Sequence, residues 1–226
     1  MTTLLDRIRS TNSEVAAIRK ELAKMENYYT VPYEEMYQYY SIMPNKQADK
    51  FIEGWIAHLI GGHKMDSTLV PEEIRARDNG DIWLGETLQI GINNIELKCT
   101  FRDAGNIGGK QFRFYENVPY YLIFKAWDAT RYEMFLLTKA QLVNEIIERA
   151  RDGNRSAFIS SQKSNYVSRM SQEQKIQCLL ENAAGRLNDQ ITWEFNAKTE
   201  TDLYAKFQTQ YLVQPNQVKN LLTAKS

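Results

Sequence analysis

Apolar residues recur along the chain in distinct rhythms, and each rhythm predicts an element. Leu4, Ile8, Thr11, Val15, Ile18, Leu22 and Met25 stand alternately four and three apart, the spacing of a helix with one narrow apolar seam. It predicts a helix from about residue 3 to 26, whose seam pairs with a second subunit or lies on the chain's own core. Tyr28 to Tyr40 then holds six tyrosines in thirteen residues, with Pro32 set to break any helix there. Such rings suit a core or a subunit interface, or stacking on bases. From Asn45, a plausible N-cap, Phe51, Ile52, Trp55, Ile56, Leu59 and Ile60 form one helical stripe that Gly61-Gly62 stops. Glu53 falls on the opposite, polar side. The chain thus divides into residues 1–44, for dimerisation or core packing, and a main domain over 45–226.

Downstream the rhythm changes. Asp78-Asn79-Gly80 is a turn signal, and Asp81 to Phe101 reads as short strands joined by turns at Gly85 and Asn93-Asn94. Arg102 to Gln111 is glycine-rich and predicts a mobile loop. Val118 to Trp127 is a continuous apolar run of the kind found in a central strand covered on both faces. Arg131 to Leu137 is a further strand. Thr138 opens a helix with Leu142, Ile146 and Ala150 on one face and Gly153 closing it. A polar loop leads to a second helix from Ser171, then to a possible strand at Ile191 to Phe195 and a short helical tail. Helices flanking a few strands predict a mixed α/β fold, a central mixed β-sheet between helices with an N-terminal helical appendage.

Composition narrows the chemistry. The 226 residues are 43% apolar and 25% charged, the balance of one globular domain with a sizeable core. No basic run precedes an apolar leader, and no stretch has the roughly 18 uncharged apolar residues of a membrane span, so a cytoplasmic protein is expected. Cys99 and Cys178 are far apart and lack metal spacing, which points to reduced core thiols. The 28 basic and 28 acidic residues cancel, but Lys98 to Lys175 carries 13 basic against 8 acidic, a local excess of five that permits a DNA-facing surface. His58 and His63 miss the spacing of a helical zinc pair. Gly105 to Gly109 lacks the lysine and hydroxyl of a phosphate-binding loop, and no serine or cysteine sits on a nucleophile elbow.

One constellation carries chemistry. Along Ile95 to Phe101, strand alternation sends Ile95, Leu97, Cys99 and Phe101 into the core and turns Glu96, Lys98 and Thr100 together to the other face. Asp81 lies fifteen positions before Glu96, a distance that a strand, a turn and a return strand span. Two carboxylates and an amine then converge, the donor set for a hard cation and an oriented water in phosphodiester hydrolysis. A second acid-x-Lys triplet, Glu173 to Lys175, falls on a helix, where positions two apart point away from each other. A surface salt bridge on an exposed sheet face is the competing account of the first triplet.

A helix bearing an acid, Asp on a strand, Glu-x-Lys on the next strand, then a core strand and a helix: this order resembles the PD-(D/E)XK nuclease superfamily over roughly Asn45 to Gly153. Within it the chain looks most like a type II restriction endonuclease. The resemblance implies that Asp81 and Glu96 ligate Mg2+ and that Lys98 positions the hydrolytic water. It further implies a homodimer cutting both strands of double-stranded DNA and leaving a 5′-phosphate, with residues 45–226 as the nuclease domain. Glu53 resembles the extra helix acid of many members. Gly80 stands where the pattern has proline, and Asp78 competes with Asp81 as first acid. Candidate DNA-reading residues lie in two segments: Arg102, Lys110, Gln111 and Arg113, then Arg155, Gln162, Lys163, Asn165 and Arg169. A repair or recombination nuclease of the same superfamily, and a non-catalytic nucleic-acid-binding protein, are the alternatives.

Overall fold

A computed structural model describes residues 29–43, 45–75, 79–85, 94–101, 106–152, 170–187, 191–198 and 202–223. The predicted helix over 3–26, Asp78, Arg102, Arg155, Gln162, Lys163, Asn165 and Arg169 lie outside them, as does the side chain of Lys110.

Helices α1 (Tyr33–Ile42) and α2 (Asn45–Leu59) come first. Strands β1 (His63–Lys64), β2 (Ile82–Trp83), β3 (Asn94–Phe101), β4 (Asn106–Phe112), β5 (Tyr120–Ala126) and β6 (Tyr132–Thr138) follow, then α3 (Lys139–Arg151), α4 (Gln172–Ala183), β7 (Trp193–Lys198), α5 (Asp202–Gln210) and α6 (Pro215–Thr223). Five strands form one mixed sheet in the order β1-β2-β3-β5-β6, in which only β3 and β5 run parallel. This is the mixed α/β architecture expected. Among the described residues no helix is long and apolar enough to cross a membrane.

Both faces of the sheet are covered. Ile95, Leu97, Leu122 and Phe124 pack on one side against Met36 and Tyr39 of α1, Ile52, Trp55 and Ile56 of α2, and Val218 and Leu222 of α6. Tyr121, Ile123, Phe135 and Leu137 pack on the other against α3, Cys178 and Leu179 of α4, Phe207 of α5 and the β4–β7 ribbon through Ile107, Phe112 and Trp193. The near-continuous apolar run of β5, interrupted by the buried Lys125, follows from this double burial. Trp193 and Asn182 are both completely buried, and the indole N–H donates to the Asn182 amide oxygen at 2.8 Å.

Local signals placed the C-terminal helices. Thr138 caps α3 and Ser171 caps α4, each by a reciprocal capping box with the glutamine three residues on. Three expectations are corrected. Pro32 starts a helix instead of breaking one, because at the N-cap its missing N–H costs nothing. Asn94 is the first residue of β3, 1% exposed, and not part of a turn. Residues 106–111, part of the expected mobile loop over 102–111, belong to strand β4, paired antiparallel with β7. The glycines there serve a close crossing: a Cβ on Gly109 would lie 2.7 Å from Lys98 Cβ.

Candidate active site

The site begins at a turn. Gly80 has φ +85°, and a Cβ on it would stand 2.7 Å from the Ile95 carbonyl oxygen. Proline, fixed near −65° and bulkier, cannot occupy that position. Beyond it the Asp81 N–H donates to the Ile95 carbonyl at 2.9 Å, and Ile82 pairs with Ile95. Continued one residue, that register sets Asp81 opposite Glu96.

β2 then runs out, and a side chain replaces it: the Leu97 N–H donates to Asp81 Oδ2 at 2.8 Å. On the same strand Lys98 Nζ donates to Glu96 Oε1 at 2.6 Å. Glu96 and Lys98 side chains are only 6% and 18% exposed. The expected outward face of β3 is therefore roofed by β4, and the pair is no surface salt bridge. Asp81 and Glu96 are each gripped through one oxygen, and among the described residues Asp81 Oδ1 and Glu96 Oε2 have no hydrogen-bond partner.

The electrostatics are those of crowded, partly dried acids. Burial pushes the Glu96 carboxyl above its ordinary range; Lys98 opposes this and Asp81 adds to it. Burial pulls the Lys98 ammonium down, but Glu96 and Asp81 together outweigh it and hold the amine charged. Lys98 is thus a hydrogen-bond donor at neutral pH and not a base.

A cavity of about 500 Å³ opens beside Asp81, walled by Glu53, Lys64, Met65, Asp66, Arg75 and Gly80 as well. Glu53 does not lie on a free polar side of its helix, as expected from the stripe. α2 is buried around much of its circumference, with the Tyr29 ring seated on Gly54. Burial first, then Asp81, push the Glu53 carboxyl up to about 7 against the pull of Lys64, whose Nζ stands 3.9 Å away. Asp49, one turn earlier, is raised by burial and drawn back by Lys98, so α2 lends two acids to this edge of the sheet. Burial keeps the Cys99 thiol well above its usual range, as a core thiol.

Asp81, Glu96 and Lys98 are therefore brought together, and Glu53 shares a cavity wall with Asp81. Arg113 comes over the same face. Gln111 is exposed, with φ +60°. Sequence reasoning missed Asp49, Lys64, Asp66 and Arg75. Only Asp49 had a signal, its helical spacing of four from Glu53; Lys64 sits on the two-residue β1, and Asp66 and Arg75 in the irregular stretch after it, with no periodicity. His58 is exposed and His63 lies tilted against Trp83, so they form no ligand pair. Among the described residues no group of three or more His, Cys, Asp or Glu is arranged to hold a metal ion. The chain matches no family model, no curated protein and no solved structure.

Proposed function

We propose that this chain is a magnesium-dependent endonuclease with a restriction-endonuclease-like fold, cutting double-stranded DNA at a specific sequence and leaving a 5′-phosphate, as a cytoplasmic homodimer. The observation that carries the reading is the strand register that sets Asp81 opposite Glu96 with Lys98 bonded beside them. A surface ion pair needs neither burial nor a second acid, and this one has both.

The residues fit the metal. Mg2+ keeps several waters and takes one or two carboxylates, not a closed protein cage. Asp81 and Glu96 supply that number, each with one oxygen restrained and one unengaged. When bound, the ion would lower the pKa of a water and offset charge on the phosphate. The rest falls to the chain. The Leu97 N–H fixes the Asp81 carboxylate, and Lys98 fixes Glu96 while offering its remaining protons to a water or to a phosphate oxygen. Glu53 forms the cavity wall beside Asp81.

The test is to incubate the purified protein with plasmid DNA and Mg2+. Discrete fragments are expected from the wild type. Lys98→Ala and the isosteric Asp81→Asn should each lose on the order of 100-fold or more in rate, the scale for removing an electrostatic catalytic group. Circular dichroism on both variants separates lost chemistry from lost folding. Nicked circles without a fragment ladder would point to a repair or recombination nuclease, and intact plasmid in every lane would sink the proposal.

A further inference from the structure

The chain leaving β4 carries a cation of unusual standing. The register of β4 with β7 slips between Gly109 and Phe112, and Gln111 within the slip has φ +60°. Such bulges re-aim the side chains that follow them. Phe112 and Phe114, 0% and 2% exposed, are both turned into the core. Arg113 between them is half-buried, and its backbone is tied down: the Tyr121 hydroxyl donates to the Arg113 carbonyl at 2.8 Å. Tyr121 is the register partner of Glu96 on the parallel strand. The arginine is thereby mounted above the Glu96–Lys98 pair, close enough that its charge is felt by both.

Two of the cations at the site are already matched. Lys98 is bonded to Glu96, and Lys64 to Asp66 at 2.8 Å. Arg113 has no carboxylate within ion-pair distance among the described residues, and its guanidinium reaches only the Tyr115 hydroxyl, at 3.5 Å. Holding a half-buried guanidinium without an anion costs stability that an external anion would recover.

We propose that Arg113 is a phosphate-binding residue of this site, gripping the DNA backbone at the phosphate beside Asp81 and Glu96, and reading no base. The inference rests on the nuclease reading and sharpens it. A planar, forked donor suits two phosphate oxygens.

The experiment measures binding of a 30-base-pair duplex of arbitrary sequence by fluorescence anisotropy in EDTA, with the KCl concentration titrated. Each phosphate contact contributes about 0.9 to the slope of log K against log salt. Arg113→Gln is expected to flatten the slope by about one contact and to weaken binding alike on different duplexes. Arg113→Lys should keep the slope. A wild type that cleaves DNA while Arg113→Gln retains both its affinity and its slope overturns the assignment, and so does a loss confined to one sequence, which would mark a base reader. If the glutamine variant fails to fold, phenylglyoxal labelling of the wild type followed by peptide mass spectrometry takes its place: bound duplex must protect Arg113, and equal labelling with and without DNA overturns it. A wild type that neither cuts nor binds duplex removes the nuclease reading itself, and this inference falls with it.

Discussion

Glu53 shows how much one carboxyl changes when its helix is buried. Folded, it keeps its proton to about pH 7, whereas the ordinary glutamate value is 4.5. Between those values the folded chain binds more protons than the unfolded one, so stability falls as pH rises through the window and the loss is complete above it. In EDTA, the melting temperature of the wild type should therefore decline from pH 4.5 to 7 more steeply than that of Glu53→Gln. Above pH 7 the variant should be the more stable, by on the order of 1 kcal/mol. Parallel profiles would show that Glu53 is not the group responsible. At this scale the sequence was informative where chemistry is local to a strand. Glu96 and Lys98 were placed by alternation alone, because side chains two apart on a strand share a face whatever the tertiary setting. Their burial was not legible, since the strand that roofs them is itself roofed by residues far along the chain.

Among the elements, β4 was the least readable and matters most to the site. Asn106 to Gln111 has the composition of a loop, and nothing nearby in sequence tells that it pairs with Trp193 to Lys198. By contrast α3 and α4 announced themselves through capping boxes complete within four residues, and β5 through an apolar run that only a doubly covered strand tolerates. Gly109 is where β4 meets the chemistry. Adding a methyl there places it 2.7 Å and 2.9 Å from Lys98 Cβ and Cγ, so the strand or the lysine must move. Gly109→Ala is expected to cost about 1–3 kcal/mol in stability, the range for overpacking, and to reduce cleavage more than duplex binding. Unchanged cleavage, measured alongside urea unfolding, would mean that the roof over Lys98 is slack.

At the scale of the whole molecule, the sheet separates two cores, one built on α1, α2 and α6 and the other on α3, α4, α5 and the β4–β7 ribbon. The candidate site lies where β2 stops pairing with β3 and α2, β3 and β4 converge. An ion bound by Asp81 and Glu96 would tie the turn before β2 to β3 and favour the folded state over the unfolded one. By mass action, Mg2+ at about 100 times its dissociation constant stabilises by about 2.7 kcal/mol, which for a chain of this size raises the melting temperature by roughly 5–10 °C. Scanning calorimetry should show that rise for the wild type and its absence for Asp81→Asn. A rise of equal size in both would assign the ion to another site.

The pairing of β4 with β7 also sets an order in time. Asn106 is matched to Lys198, and β4 has no other strand partner among the described residues. As the chain leaves the ribosome, Asp81, Glu96 and Lys98 emerge before residues 193–198, so the strand that packs on Lys98 and carries the chain to Arg113 waits for its partner after the acids have been made. Until that partner arrives, the nascent chain holds its acids without the roof that packs on Lys98.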